Sequence, residues 1–322
     1  MRKLFCVILS AMLLTGCAAG DESSGGSYDP TSFGTSAEGY AFTDDLGRSV
    51  TVKSCERVAA LLGSFAEVWH LAGGEVTAAP DDAWDDFDFP LPDSAVNLGK
   101  TKELSLETLF SVAPDFVIAS TNTRIDLEWL DTFESAEIPV AYFDVADFAD
   151  YLHMLDICTD ITKRKDLYKT NGTDIGTKID KVKAQSKSRI TENSAPSVLS
   201  LRASAAGLRA KNSSGNVLGE MLKTLGCMNI ADSEESLLEN LSMEYIISSD
   251  PDFIFIVQHG DDIEGFQRTI DKFVEDNPAW EELTAVKEGR VYIMDKHLYN
   301  QKPNVRWGEA YEELERILGG ER

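Results

Sequence analysis

Two stretches of the chain repeat the same order of apolar and polar positions. Residues 104–118 and 241–255 align without a gap, 137 positions apart. The shared positions are Ser105 and Ser242, Glu107 and Glu244, Pro114 and Pro251, Asp115 and Asp252, and Phe116 and Phe253. In each copy a Ser suited to cap a helix precedes a short helical pattern, which ends before the Pro. The continuous apolar run after the Pro-Asp pair predicts a strand buried on both faces of a parallel sheet.

The segments before the two copies also correspond. Residues 57–62 and 197–201 are apolar runs that predict strands. An amphipathic helix follows each run, one ending at Gly73-Gly74 and the other covering 216–225 before a Gly, the usual residue just past a helix. Each half therefore runs strand, helix, strand, helix, strand. This order predicts an α/β protein of two Rossmann-like lobes with mostly parallel sheets.

A polar helical stretch separates the two halves. Its Lys and Asp residues are spaced so that most Lys side chains face solvent. The predicted organisation is an N-terminal lobe over 39–149, an inter-lobe helical segment over 150–192, and a C-terminal lobe over 193–322. A long helix between two similar lobes leaves a cleft, and clefts between domains are favoured ligand sites.

The first residues have the pattern of an export signal. Two basic residues precede an apolar run from Leu4 to Leu14, which is too short to span a bilayer, and a Thr-Gly pair then leads to Cys17. This ending resembles a bacterial lipobox. We predict a signal peptide over 1–16, lipid on Cys17 and a flexible tether over 17–38, so that the protein is anchored outside the cytoplasm by lipid only. The alternative is an ordinary secretory signal with a chance Cys.

Composition limits the classes of partner. The 322 residues carry 55 acidic and 30 basic side chains, a formal charge of −25. This balance argues against nucleic-acid binding through a broad basic surface and against electrostatic attachment to a membrane. An anionic ligand would therefore have to be met by a few local Lys or Arg side chains.

Residue types that carry catalysis or bind metals are scattered along the chain. Cys55, Cys158 and Cys227 remain after export processing, which permits at most one disulfide and leaves its pairing open. The four His residues stand singly, without metal-ligand spacing. Motifs for a catalytic nucleophile, a dinucleotide or a phosphate loop are missing. We therefore predict no cofactor, no protein-held metal and no catalytic residue, and keep an enzyme or a surface adhesin only as alternatives.

Further segments, taken in order, resemble the extracytoplasmic solute-binding lipoproteins of ABC importers for iron–siderophore complexes, haem or cobalamin. They are residues 42–52, 57–62, 98–99, both Pro-Asp-Phe segments, 277–280, 285–292 and 302–307. This class III periplasmic-binding-protein family implies two lobes joined by one long rigid helix, with limited hinge motion. It also implies an ABC permease and its ATPase as partners, and we expect the binding protein to be a monomer.

The same resemblance implies a role in transport for two acidic residues. In the family, one acidic residue of each lobe docks into a basic pocket on the permease, and the matching positions here are Glu107 and Glu244. The alternative is that each is only a first-turn Glu favoured by the helix dipole. The dipole explains either Glu separately, but it explains less well why both occupy the same place in a repeat.

Ligand contacts are expected from loops at the carboxyl ends of the strands. The candidate ligand-binding residues are Ser64, Trp84, Lys100, Thr101, Asn122, Arg124, Arg202, Arg209, Tyr299 and Arg306. Arg202 and Arg209 are expected in two such loops, and Trp84 is expected to cover the cleft. Because Arg forms paired, charge-assisted bonds to carboxylates, we predict an anionic iron complex, a ferric siderophore or haem, as the ligand. A neutral corrinoid is the alternative.

Overall fold

The computed structural model describes residues 35–36, 39–190, 195–234, 236–239 and 241–320. The strands are β1 Thr35–Ser36, β2 Gly39–Thr43, β3 Ser49–Val52, β4 Val58–Ala60, β5 Val76–Ala79, β6 Val96–Asn97, β7 Phe116–Ser120, β8 Val140–Phe143, β9 Ser197–Ser204, β10 Gly207–Lys211, β11 Met228–Asn229, β12 Phe253–Gln258 and β13 Val291–Met294. The helices are α1 Gly63–Leu71, α2 Asp82–Asp85, α3 Leu106–Ser111, α4 Arg124–Glu128, α5 Leu130–Ser135, α6 Phe148–Thr162, α7 Lys165–Tyr168, α8 Asp174–Arg189, α9 Val217–Thr224, α10 Ser236–Glu239, α11 Met243–Ser249, α12 Ile263–Asp276, α13 Thr284–Lys287, α14 Lys296–Tyr299 and α15 Trp307–Leu318.

The first large sheet has five parallel strands in the order β6-β5-β4-β7-β8. Every residue of β7 and β8 is buried, as the continuous apolar runs predict for a sheet covered on both faces. The chain winds outward from β4 in both directions. The loops that leave β4 and β7 therefore diverge, and such a switch point is where open α/β sheets bind ligands.

The second large sheet contains β9, β11, β12 and β13 in parallel, with β10 antiparallel to β9. Strand β9 continues three residues past the predicted end at 201, and a turn then connects it to β10. Arg202 and Arg209, which we expected in loops, lie on these two strands instead. Polar and apolar side chains alternate here, because one face of the hairpin packs on the core and the other is solvated. The predicted α/β class with two mostly parallel sheets is confirmed.

The repeated Asp residues have the same structural role in both halves. The carboxylate of Asp115 accepts a hydrogen bond from the backbone N–H of Arg57 at 2.9 Å, just before β4. The carboxylate of Asp252 accepts one from the backbone N–H of Ser197 at 2.8 Å, at the start of β9. Each Asp precedes one buried strand and fixes the start of its neighbour, which explains why the Pro-Asp pair is repeated.

The predicted inter-lobe segment contains a break. Helix α6 ends at Lys163, whose φ of +60° is left-handed, and the N–H of Arg164 closes the helix by donating to the carbonyl of Thr159. The long helix observed in this segment covers 165–189. Within it, a π-helical turn at Lys169–Thr173 joins α7 to α8. Helix α6 packs on α1, beside the first sheet, whereas α8 packs on α15. The helical segment expected over 150–192 therefore consists of two helical runs that meet at Lys163.

The predicted signal peptide and the lipid attachment site Cys17 lie outside the described residues. At the end of the predicted tether, Thr35–Ser36 pair with Gly39–Tyr40 as β1 and β2, so regular structure begins before residue 39. In the described part of the chain, no helix has the length and apolarity that crossing a membrane requires.

The sequence left open whether two of the three remaining Cys residues form a disulfide. In the structure all three are free thiols. Cys158 and Cys227 are buried, and Cys55 is half-buried. Burial raises the pKa of both buried thiols above the ordinary value of 9.0, to about 12 for Cys227. Cys158 and Cys227 therefore contribute to packing as small apolar side chains.

Candidate functional site

A cleft of about 570 Å³ lies between the two large sheets. In the first half it is lined by residues after β4 and β7, and by residues within 81–87 and 100–103. In the second half it is lined by residues 259–261 after β12, and by residues within 296–302. Both sheets belong to one contact unit, Gly34–Arg322. The cleft therefore lies at the carboxyl ends of the strands, where α/β sheets bind ligands.

Four of the predicted ligand-binding residues line this cleft: Ser64, Lys100, Thr101 and Asn122. Ser64 is buried in the first turn of α1. The Asn122 amide donates to the carboxylate of Asp144 at 2.5 Å, so it is already engaged within the first half. Lys100 forms no ion pair with any residue that the structure describes. Of these four, Lys100 is the group most available to an anion.

A group of cations, which we call the Arg–Lys cluster, occupies one face of the β9–β10 hairpin. Arg202 and Arg209 are directly opposite each other, and Lys211 lies two residues beyond Arg209 on the same face. Burial, followed by the charge of Arg209, lowers the pKa of Arg202 below its usual value. Burial and both Arg charges likewise lower the pKa of Lys211. Within the described ranges, none of the three has a carboxylate partner at ion-pair distance.

His259 connects the Arg–Lys cluster to the cleft. Its backbone N–H donates to the carbonyl of Ala203, next to Arg202, and the residue itself lines the cleft. Burial lowers the pKa of His259, and the charges of Arg202, Lys102 and Lys211 lower it further. Lys102 belongs to the opposite wall of the cleft. Cations from both halves therefore lower the pKa of the same imidazole.

The other predicted ligand-binding residues are not part of this cleft lining, and that includes Arg202 and Arg209 of the Arg–Lys cluster. Trp84 is 40% exposed on α2. Arg124 pairs with Glu128, and its side chain is 82% exposed beside a smaller cavity of about 300 Å³, which shares residues 101–102 and 122–123 with the cleft. Arg306 binds Glu309 through two hydrogen bonds of 2.8 Å. Ligand binding by these residues stays a prediction, and for Arg124 and Arg306 a local acid already supplies a partner.

Tyr299 was predicted in the cleft, but it is a core residue. It is 1% exposed, and its hydroxyl donates to the carbonyl of Ala310 and to the carboxylate of Glu313, both at 3.0 Å. Its neighbour Asn300 lines the cleft instead, and the Asn300 amide lies 3.5 Å from His259 Nδ1. The predicted strand-end segment therefore reaches the cleft through Asn300.

Sequence reasoning missed several charged residues of the site. Lys211 could have been found only by recognising strand β10. The alternating polar and apolar residues after Gly207 were the signal for this strand. Asp86 and Lys296 meet across the cleft with a Nζ–Oδ1 distance of 2.8 Å. They are 210 positions apart, and nothing local in the sequence pairs them.

Asp82 fixes the start of α1 from the cleft wall. Its carboxylate accepts a hydrogen bond from the N–H of Gly63 at 3.1 Å, while Leu62, the N-cap residue, offers no side-chain acceptor. Helix α2 lies against the helix start so closely that a Cβ on Gly63 would be 2.7 Å from the backbone nitrogen of Ala83. Burial raises the pKa of Asp82 to about 6. The cleft wall thus contains a carboxyl group that titrates in the mildly acidic range.

We expect Asp82→Asn to stabilise the protein at about pH 7 and to have little effect at about pH 4. The pKa of Asp82 is 3.8 in its ordinary state and about 6 in the folded chain. The stability that this group contributes is therefore present below about pH 4 and is lost as the pH rises through about 6. Asn retains an acceptor for the Gly63 N–H and carries no charge. Thermal unfolding at both pH values should show a gain of up to about 3 kcal/mol at the higher one.

The control for this prediction is Asp85→Asn, because Asp85 is exposed on the same short helix. Its effect on stability should be small at both pH values. A gain from Asp82→Asn that is equal at both pH values would show that Asp82 ionises in the folded protein without a burial penalty.

Glu107 and Glu244 occupy matching places on two capped helices. Ser105 and Ser242 cap α3 and α11 as predicted, each accepting the backbone N–H three residues on. Each Glu is the second residue of its helix and is exposed. Neither takes part in an ion pair with a described residue, and neither lines the cleft. Both carboxylates are therefore accessible to a partner.

Comparison with known proteins shows similarity along most of the chain. The profile of a family described as periplasmic binding protein matches residues 58–298. The Fe(3+)-citrate-binding protein YfmC of Bacillus subtilis is 25% identical over 310 residues, covering 94% of this chain and 92% of that protein. A putative ABC transporter substrate-binding lipoprotein of the same organism, YhfQ, is 24% identical over 326 residues, covering 96% of each. The structure of Staphylococcus aureus SirA complexed with staphyloferrin B has the same fold, with a TM-score of 0.66, 18% identity, and coverage of 87% of this chain and 98% of SirA.

Proposed function

The chain belongs to the periplasmic binding protein family, and we propose that it captures an anionic ferric complex in its cleft for delivery to the permease of an ABC importer. The family resemblance inferred from the residues is thereby confirmed, and with it the role of an ABC-importer substrate-binding protein. The ligand and its delivery are the proposal. Relatives named as binding proteins support a role in capture rather than in catalysis.

The Arg–Lys cluster is the observation that carries the proposal. Three cations are held together without a carboxylate partner among the described residues, in a chain whose formal charge is −25. Like charges placed directly opposite each other in a sheet are destabilising. A ligand with several carboxylates would supply the missing countercharge and form paired hydrogen bonds with the guanidinium groups. The cluster therefore suits a multiply anionic ligand.

The cleft lining favours a hydrophilic ferric complex over haem or a corrinoid. Among the described residues that line it, Leu62 and Phe87 supply the only large apolar side chains, and most of the others are charged or polar. A macrocycle buries a wide apolar face, which needs an apolar wall to compensate for its desolvation. The name of the relative YfmC, which specifies Fe(3+)-citrate, agrees with a carboxylate complex. Haem and cobalamin are the competing ligands.

We propose that delivery uses Glu107 and Glu244, through contacts with basic pockets of the permease. The permease and its ATPase would be the protein partners, and the binding protein would act as a monomer. Cys17 would carry lipid after removal of residues 1–16, holding the protein at the outer side of the cell membrane. The name of the relative YhfQ, a putative substrate-binding lipoprotein, supports this anchoring.

Ligand titration tests the proposal directly. Quenching of Trp fluorescence should be saturable with ferric citrate and weaker with haemin or cobalamin at equal concentration. Because bound carboxylates are charged, affinity should fall as salt is added. Iron-free citrate serves as the control for the metal, and Trp84→Phe serves as the control for the exposed fluorophore. Tight binding of cobalamin that is independent of salt would contradict the proposal.

A further inference from the structure

An ion-pair bridge crosses the groove between the two halves. The carboxylate of Asp86 accepts hydrogen bonds from Lys296 Nζ at 2.8 Å and from the Gln301 amide at 2.5 Å. Lys296 Nζ also lies 2.6 Å from the carboxylate of Asp261. Burial acts to raise the pKa of Asp86, but the bonds from Lys296 and Gln301 hold it below its usual value. The side chains of Asp86 and Lys296 are only 14% and 17% exposed, so solvent screens their attraction weakly.

The bridge lies where two cavities meet. One is the cleft described above, and the other, of about 780 Å³, is lined by residues of α2, of β13 and of the segments 258–263 and 295–297. The two cavities share Asp81, Asp82, Asp86, Asp261 and Lys296 in their linings. The bridged residues are therefore common to both spaces and lie at their boundary.

The two cavities differ in charge. The lining of the cleft contains four Lys side chains and five carboxylates, which are Lys100, Lys102, Lys296, Lys302, Asp81, Asp82, Asp86, Glu103 and Asp261. The second cavity is lined by six Asp residues, and Lys296 is its only Lys among the described residues. An anionic ligand is therefore repelled less in the cleft than in the second cavity. Two of the carboxylates common to both cavities, Asp86 and Asp261, share the single positive charge of Lys296.

Both ends of the bridge are held by packed elements. On one side α14 is fixed by Tyr299, whose hydroxyl is bonded to α15 and to its carboxylate Glu313. On the other side Ala83 is buried against the start of α1, and Asp86 follows directly after α2. The Asp86–Lys296 contact therefore joins two packed elements.

We infer that the Asp86–Lys296 bridge determines ligand size, by confining the ligand to the cleft and closing it from the more acidic second cavity. The inference rests on the proposed capture of a ferric complex. A small complex such as ferric citrate would then stay on the cleft side of the bridge. A bulkier anionic complex such as ferric enterobactin would have to extend past Asp86, so the bridge selects against it.

Asp86→Ala tests the partition, because Lys296 then keeps Asp261 as its partner and no buried charge loses its counterion. Equilibrium binding of ferric citrate and ferric enterobactin should be measured for the wild type and the variant. We expect the ratio of the two affinities to shift by about tenfold towards ferric enterobactin. Affinity for ferric citrate itself should rise, because one carboxylate leaves the cleft lining, but the rise for ferric enterobactin should be about tenfold larger. Asp86→Asn, which keeps the side-chain volume and a partner for Gln301, should shift the ratio less.

Asp85→Ala is the matched control. It removes the same charge one residue earlier, from the last position of α2, and lines only the acidic cavity. An equal change for both ligands in Asp86→Ala, or the same shift in Asp85→Ala, would overturn the partition. If the wild type binds neither complex, the proposed function fails, but the partition can still be tested. The test is then a crystal structure of Asp86→Ala without ligand: the partition predicts that the two cavities merge, and two separate cavities would refute it.

Discussion

Replacing Arg202 with Ala should weaken ferric citrate binding by about tenfold or more, since a charge-assisted hydrogen bond contributes about 1.5–3 kcal/mol. Arg202 is half-buried and is directly opposite Arg209, without a carboxylate partner among the described residues. Loss of its charge relieves repulsion across the hairpin, so the unfolding temperature should stay the same or rise. Calorimetric titration and thermal unfolding of the same preparation measure the two effects. A fall in affinity at unchanged or higher stability separates a binding role from a structural one.

Arg306→Ala provides the matched control for this result. Arg306 has the same charge and was also a candidate in the sequence, but it is bonded to Glu309, whereas Arg202 has no carboxylate partner among the described residues. Its removal should leave the affinity for ferric citrate unchanged, whereas Arg209→Ala should behave like Arg202→Ala. The anionic-ligand proposal fails if Arg202→Ala and Arg209→Ala both bind as tightly as the wild type. It also fails if the affinity falls only in step with stability.

The fold was predictable where local sequence carries the determining interactions. The buried strands β7 and β12 are continuous apolar runs, and the caps of α3 and α11 lie within three residues of the groups they bind. The break at Lys163 was harder to predict, because its left-handed backbone belongs to a residue type that usually continues a helix. Strand β10 was missed because its stability comes from pairing with β9 rather than from its own apolar content.

The site was predictable only in part, because loop position does not determine side-chain direction. The prediction that ligand groups follow the strand ends brought Ser64, Lys100 and Asn122 to the cleft. It also selected Tyr299, whose ring is instead required by the core. Contacts such as Asp86 with Lys296 join residues far apart in the chain and depend on how the two halves meet. Such contacts require the three-dimensional structure.

Replacing Glu107 and Glu244 together with Ala should abolish uptake of ferric citrate by cells while leaving its affinity for the purified protein nearly unchanged. Both carboxylates are exposed at matching positions of two helices, and neither lines the cleft. In our proposal the two carboxylates pair with basic pockets of the permease, and an ion pair removed from a desolvated interface costs about 2–5 kcal/mol. Two such losses exceed what a weak, transient docking complex tolerates. Accumulation of radioactive iron in cells that express only the variant measures transport.

A third Glu separates docking from a general effect of charge or of helix stability. Glu264 is an exposed first-turn Glu of α12, with a helix dipole like those at Glu107 and Glu244, and it pairs with Arg268. If the two repeated Glu residues served only their helices, Glu264→Ala would lower stability to the same small extent, and uptake would persist in all variants. If they dock, uptake fails in the double variant and persists with Glu264→Ala. Loss of ligand affinity in the double variant, with transport of the bound fraction intact, would instead place these residues in ligand capture.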